Sequence, residues 1–85
     1  MKVSKAEFLR WLTPGKEVRL INCLLGPCDK PRTVKSVKGP RVEFDTPDGR
    51  VSHLHLTSEE EVEKTESGYR LVLKSSGKCC AEYAA

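Results

Sequence analysis

Alternating apolar and polar residues dominate the middle of the chain, and this period of two predicts β-strands joined by tight turns. The longest such stretch covers residues 32–56, where two β-rich runs flank the segment 46–50 (TPDGR). In that segment proline presets φ at the first corner, aspartate can bond the backbone ahead of it, and glycine accepts a positive φ. We therefore expect a long hairpin that reverses at 46–50. A second bend is expected at 38–40 (KGP), because proline cannot donate to a strand ladder.

Apolar runs on either side of this hairpin predict the remaining strands. Residues 16–25 alternate first and then become continuously apolar, which is typical of a strand covered on both faces at one end or of a strand with a bulge. Residues 26–31 contain two prolines and a glycine, and this composition indicates a loop. A second hairpin is expected over 62–73, because its two arms flank a polar turn and the second arm alternates.

One short helix is predicted before the first strand. Ser4 and Glu7 have the spacing of a capping box, in which each side chain can accept a hydrogen bond from the other residue's amide. The apolar residues that follow fall on one stripe, so we expect a helix over 5–12 that Pro14-Gly15 terminates. A helix this short is not stable alone, so its stripe should pack on the sheet.

Together these elements predict one mainly β domain over residues 1–74, with a helix at 5–12 and about five short antiparallel strands between 16 and 73. Residues 75–85 are small and polar apart from Tyr83, and we expect them to form a flexible C-terminal tail. Short, bent antiparallel strands usually close into a small barrel, since closure removes exposed edges. The expected architecture is therefore a small antiparallel barrel with an N-terminal helix.

Composition narrows the classes of function without selecting one. The 85 residues are 38% hydrophobic and 32% charged, which is typical of a folded domain. The apolar runs are too short for a transmembrane helix, and the first residues lack the apolar stretch of a secretory signal. We therefore expect a cytoplasmic domain without membrane contact, in which the four cysteines stay reduced.

Charge is distributed unevenly along the chain, although the formal net charge is only +3. Acidic residues cluster between Glu59 and Glu66, whereas a separate basic run contains no acid. The basic run comprises Lys30, Arg32, Lys35, Lys38 and Arg41. If these side chains converge, they can bind nucleic-acid phosphates with salt-dependent affinity. The alternative is a solvated basic face, and few aromatic residues remain for stacking on bases.

A protein partner or a second copy of the chain is the alternative to nucleic acid. Val51, His53 and His55 share one face of a predicted strand and could form a pairing surface, joined by Trp11 if that side chain is not fully buried. Core packing is the other interpretation of Trp11, because a small domain needs its largest apolar group inside. The acidic cluster could meet a basic partner or imitate a nucleic-acid backbone, but ordinary solvation also explains it.

Metal ligands and nucleophiles are present without a recognisable spacing. They are Cys23, Cys28, His53, His55, Cys79 and Cys80. A zinc ion held by two cysteines and two histidines would stabilise a thin core, yet the spacing matches no standard zinc pattern. Small core residues, free thiols or a disulfide between the first two cysteines are the alternatives. No orienting third residue and no glycine-rich phosphate loop is evident, so we expect no metal, no cofactor, no catalytic residue and no enzyme.

The predicted strands resemble those of SH3-like barrels, the group that includes KOW and Tudor-type modules. The residues that carry the resemblance are 14–18 (PGKEV), 32–37, 42–44 and 48–50. The match covers roughly residues 14–73 and consists of turns and alternation. The resemblance implies a five-stranded barrel, and modules of the KOW type bind RNA or DNA or belong to proteins that do. In size the chain also resembles small cytosolic proteins of phages and other mobile elements. We therefore expect a non-enzymatic binding module, with nucleic acid favoured over protein.

Overall fold

A computed structural model describes residues 1–85, and they form one antiparallel sheet with one short helix packed on it. The helix α1 is Lys5–Trp11. The strands are β1 (Lys2–Val3), β2 (Glu17–Cys23), β3 (Gly26–Lys38), β4 (Arg41–Asp45), β5 (Val51–His55), β6 (Glu60–Lys64), β7 (Gly68–Leu73) and β8 (Cys79–Ala84). Hydrogen-bonded neighbours follow the order β1-β6-β7-β8-β2-β3-β4-β5, so β1 and β5 are the two edges.

The mainly β class is confirmed, but the expected number of strands is wrong. The sheet has eight strands rather than about five, and it is not closed into a barrel. The additional strands are β1, which precedes the helix, and β8, which comes from the segment that composition assigned to a tail. The segment assigned to a loop lengthens β3 instead. The edges that closure would have removed therefore remain, and one of them is five residues long.

The helix begins at the predicted residue and with the predicted N-cap. Ser4 is the N-cap, and its hydroxyl accepts a hydrogen bond from the amide of Glu7 at 3.1 Å. The carboxylate of Glu7 does not complete the capping box but accepts from the hydroxyl of Tyr69 at 2.9 Å. This contact joins the first turn of α1 to β7, so tertiary packing replaces half of the local cap.

The core lies between α1 and one face of the sheet. Phe8 and Leu12, from α1 and the residue after it, are fully buried. The buried cluster is formed by Phe8, Leu12, Val18, Val34, Val42, Phe44, Leu56, Val62, Tyr69, Leu71, Ala81 and Tyr83. Because residues of both ends of the sheet join one cluster, the helix holds the curved sheet together by burial of apolar surface.

Both predicted hairpins are present. The turn 46–50 joins β4 and β5, with Gly49 at a φ of 84°, and the hydroxyl of Thr46 bonds within the turn. A tight turn at residues 39–40 joins β3 and β4, as the proline there indicated. The hairpin of β6 and β7 lies within two residues of its expected bounds. Local turn chemistry therefore predicted these reversals correctly.

The expected loop at residues 26–31 is wrong, because this segment is the first half of β3. Pro27 and Pro31 pair with Asn22 and Arg19 of β2. β3 meets β4 only from Thr33 onward, so its first half has a strand on one side only. A proline on such an edge loses no ladder hydrogen bond if its nitrogen faces outward.

The expected flexible tail at 75–85 is also wrong, since β8 lies in the interior of the sheet between β7 and β2. Ala81, Tyr83 and Ala84 are buried. Small residues allow close strand contact here, and a Cβ on Gly68 of β7 would overlap the backbone of Tyr83. β8 is the only connection between the strands β1-β6-β7 and the strands β2-β3-β4-β5, so without it the sheet would be two sheets.

Candidate functional site

The basic run does not form one patch. Lys30 and Arg32 lie in the first half of β3, whereas Lys38 and Arg41 are cross-strand partners at the β3–β4 turn. Eight residues of strand separate Lys30 from Lys38, which is at most about 26 Å at ~3.3 Å per residue. A bulge between Val34 and Ser36 also shifts the alternation between the two positions. The five predicted phosphate ligands are therefore divided into two groups.

The first basic group lines an open cavity of about 440 Å³ beside the β4–β5 turn. Lys30, Arg32 and Arg50 contribute to this cavity, together with Asp29 and Asp48. We call these three cations the turn group. Sequence reasoning missed Arg50, because only the register of β3 against β4 brings the turn beside Arg32.

Both acids in this cavity already have partners. Asp29 forms an ion pair of 3.2 Å with Arg19. A hydrogen bond from the hydroxyl of Thr46 lowers the pKa of Asp48, and the backbone of Arg50 adds to this effect. Asp48 also lies 3.6 Å from the side chain of Arg50. The two remaining cations of the turn group are left without an acidic partner.

The second basic group, Lys38 and Arg41, lies on the outer face of the sheet around a small cavity of about 180 Å³. We call it the hairpin group, and exposed Lys35 lies beside it at the bulge. Glu43 also lines the cavity, but its carboxylate accepts from the hydroxyl of Ser36 at 3.0 Å.

Glu43 is further engaged by β5. Its Oε2 lies 3.1 Å from Nε2 of His53, its cross-strand partner. Hydrogen bonds from Ser36 and then His53 lower the pKa of Glu43. The carboxylate therefore stays charged and occupied, and neither member of the hairpin group forms an ion pair with it.

The acidic cluster between Glu59 and Glu66 is partly neutralised by neighbouring strands. Glu61 forms an ion pair with Lys2 of β1 at 2.8 Å, and Glu63 forms one with Arg70 of β7 at 2.8 Å. The outer face of this half of the sheet is therefore balanced in charge, in contrast to the half that carries the basic run.

Three of the four predicted interface residues lie together. Val51, His53 and His55 are exposed on the outer face of β5, at the edge of the sheet. Trp11 lies elsewhere, with its ring centroid 5.1 Å from that of Tyr69 and the ammonium of Lys16 4.1 Å from its ring. It is half-buried against the core, as the alternative interpretation of this residue held.

The backbone of β5 has a bonded side and a free side. The amide of Leu56 donates to the carbonyl of Pro40 at 2.9 Å, and the carbonyl of Arg50 accepts from the amide of Thr46 at 3.0 Å. These even-numbered residues therefore face β4. Since the groups alternate along an antiparallel strand, the N–H and C=O of residues 51, 53 and 55 point to the free edge. The same residues present the exposed side chains.

The cysteines show no arrangement suited to nucleophilic chemistry. The thiol of Cys28 donates to the carbonyl of Leu20 at 3.2 Å, and all four cysteines are free. Burial raises the pKa of the thiols of Cys28, Cys79 and Cys80, which disfavours the reactive thiolate. No group of three or more His, Cys, Asp or Glu side chains is placed to hold a metal ion.

The turn between β2 and β3 exposes two leucines that the sequence pattern assigned to the end of a covered strand. Leu24 is 64% exposed and Leu25 is 98% exposed. The glycine that follows adopts a positive φ of 115°, which reverses the chain two residues earlier than the pattern indicated. Of the two alternatives for this strand, the bulge is present, between Leu20 and Asn22.

No protein-family model, curated protein or solved structure matches this chain. Its one helix has seven residues, and no helix of the structure has the length and hydropathy needed to span a membrane. The two basic groups and the β5 edge are therefore the features of this chain that bear on its function.

Proposed function

We propose that this domain is a non-enzymatic nucleic-acid-binding module that contacts phosphates through the cations of β3 and β4. One observation carries the proposal: none of the five cations of the basic run forms an ion pair with an acid of the chain. Basic residues on other strands, such as Lys2 of β1, Arg19 of β2 and Arg70 of β7, do form such pairs. An unpaired cation keeps its full attraction for an external phosphate and gains from counterion release when one binds.

The arrangement supports contact with the nucleic-acid backbone rather than recognition of bases. Phe8, Phe44, Tyr69 and Tyr83 are buried in the core, and Trp11 is covered by Lys16. No fully exposed ring is left as a stacking platform, so affinity must come mainly from charge. Binding should therefore be strongly salt-dependent and tolerant of sequence.

Two further observations concern the cysteines. One supports binding rather than catalysis, and the other supports a reducing compartment. The raised pKa values of the thiols disfavour a cysteine nucleophile. The four cysteines are free, as the proposed cytoplasmic location requires. The resemblance of residues 14–73 to SH3-like modules of the KOW type, here proposed for the strands β2 to β5, favours a nucleic acid as the partner.

The experiment compares two charge-removal variants with a matched control. Lys38→Ala/Arg41→Ala removes the hairpin group, and Lys30→Ala/Arg32→Ala removes two cations of the turn group. The control Lys74→Ala/Lys78→Ala removes the same charge from the exposed β7–β8 turn, distant from β4 and β5 in the sheet. Fluorescence anisotropy with labelled single- and double-stranded oligonucleotides is measured between about 50 and 200 mM salt.

For the wild type, we expect the logarithm of the association constant to fall linearly with the logarithm of the salt concentration. Each site variant should reduce the magnitude of this slope by about one to two. The control should keep a slope close to that of the wild type. Absence of salt-dependent binding at low ionic strength, or an equal loss in the control, would contradict the proposal.

A further inference from the structure

The β5 edge lacks the features by which proteins usually protect an exposed strand. Its five residues contain no proline and no lysine, and its register with β4 has no bulge. Natural edges are commonly blocked by such features, because a regular free edge is a template for another strand. The edge therefore has the properties of a docking site for a strand.

The spacing of the free backbone groups selects an antiparallel partner in one register. Residues 51, 53 and 55 point their N–H and C=O groups outward, as the bonds of Leu56 and Arg50 to the other side require. If a second β5 lies antiparallel with His53 opposite the partner's His53, Val51 lies opposite the partner's His55. Every outward group then has a partner. A shift of two residues in either direction leaves one of these pairs unmatched.

The side chains are compatible with this register. Residues directly opposite one another share a face, so the exposed side chains of both strands remain on the outer face. Ser52 lies opposite the partner's Leu54, which extends the partly buried inner row of the sheet. The strand carries no Asp, Glu, Lys or Arg, so no pair of these charged residues is opposed. The one side chain that meets its own copy is His53, and its Nε2 lies 3.1 Å from the carboxylate of Glu43 in the same chain.

The charges beside the edge are complementary between two antiparallel copies. On β4, Arg41 lies opposite His55 and Asp45 lies opposite Val51. An antiparallel partner therefore puts Arg41 of one copy at the same end of the joined sheet as the partner's Asp45, with the two β5 strands between them and a separation of about 14 Å at ~4.8 Å per strand. A parallel arrangement would put like charges at the same end, so these charges favour the antiparallel arrangement weakly and mainly at low salt.

We propose that two copies of this chain pair antiparallel along β5, with His53 opposite the partner's His53, to form one continuous sheet across both copies. The proposal depends only on the edge and not on the nucleic-acid function. The nucleic-acid test alters cations of β3 and β4, whereas the test below alters exposed positions of β5, so the two can fail separately.

Sedimentation equilibrium of the full chain over a range of concentrations tests the pairing. We expect a species of twice the chain mass of 9.5 kDa. His53→Pro removes an outward N–H without removing a bond to β4, and Ser52 before it is already extended, as proline requires. This variant should be monomeric, whereas His53→Ala, which keeps the N–H, should still pair.

A pair of charge variants tests the register itself. Val51→Lys/His55→Lys places lysine opposite lysine in both outer pairs, and should weaken pairing by at least about tenfold. Val51→Lys/His55→Glu places lysine opposite glutamate instead, and within each copy it sets the lysine opposite Asp45 and the glutamate opposite Arg41. This variant should pair at least as well as the wild type. Both positions are exposed, and circular dichroism confirms that each variant is folded.

Three results would overturn the proposal. A wild-type chain that remains monomeric at the highest concentration excludes the pairing. Pairing that survives both His53→Pro and Val51→Lys/His55→Lys places the contact elsewhere. Equal weakening in the two charge variants shows that the register is different.

Discussion

The two edges of the sheet differ in the way each is protected. β1 has two residues, and its Lys2 forms an ion pair with Glu61 of the neighbouring strand. The carbonyl of Met1 also accepts a bond from the amide of Lys64, so this short strand covers the otherwise open side of β6. β5 has five residues and no covering segment. The chain therefore protects one edge with a short strand and leaves the backbone groups of the other edge unpaired.

The largest test of this comparison concerns Tyr83, because it holds the half with β1 and the half with β5 together. Its ring lies 6.1 Å from Phe8 and stacks on Phe44 at 5.5 Å. Tyr83→Ala should lower the free energy of unfolding by about 3–5 kcal/mol, measured by denaturant titration. Tyr83→Phe keeps the ring and should cost far less. A loss below about 1 kcal/mol for Tyr83→Ala would mean that β8 is a loose tail after all.

The next test separates the bonded and free sides of β5. Ser52→Pro removes an N–H that faces β4, whereas His53→Pro removes one that faces solvent. We expect the first to destabilise the chain by on the order of 3 kcal/mol. The second should cost much less and act on pairing instead. Thermal unfolding of both variants measures the difference, and equal destabilisation would show that the assignment of free and bonded groups is wrong.

The smallest test compares the carboxylates beside the two edges. A hydrogen bond from Lys2 lowers the pKa of Glu61, and hydrogen bonds from Ser36 and His53 lower the pKa of Glu43, both from an ordinary value of 4.5. A carboxylate whose pKa is lower in the folded chain than in the unfolded chain stabilises the fold at pH values above its unfolded pKa. This contribution is lost as pH falls below 4.5 through the folded pKa.

Glu43→Gln and Glu61→Gln should therefore each reduce stability at pH 7 and flatten its decline below pH 4.5. Thermal unfolding midpoints between neutral and acid pH measure this effect, with Glu66→Gln in the exposed β6–β7 turn as the matched control. If both variants keep the acid profile of the wild type, neither carboxylate stabilises the strands beside its edge.

Local signals predicted part of this fold correctly. The cap at Ser4 and the turn 46–50 depend on residues a few positions apart, so their chemistry is visible in the sequence. The strand at 79–84 depends instead on neighbours that are distant in the chain. Its small residues give a weak pattern, and the close approach of Gly68 to the backbone of Tyr83, which places this strand beside β7, is visible only in the structure.

The candidate site was predictable only in its residue types. The basic run was visible, but its division into two groups follows from the bulge between Val34 and Ser36, which the sequence does not reveal. The shared face of Val51, His53 and His55 followed from alternation and is confirmed. That the same residues also carry the free backbone groups depends on which side of β5 is bonded, and this requires the topology.

The interior position of β8 has a consequence for synthesis. Each of its two neighbours, β2 and β7, leaves the ribosome before it does. Until residues 79–84 arrive, both neighbours present an unpaired edge and the core lacks the ring of Tyr83. The nascent chain is therefore more exposed to intermolecular strand pairing than the finished domain. Cooperative folding requires residues 79–84, although their sequence pattern is that of a tail.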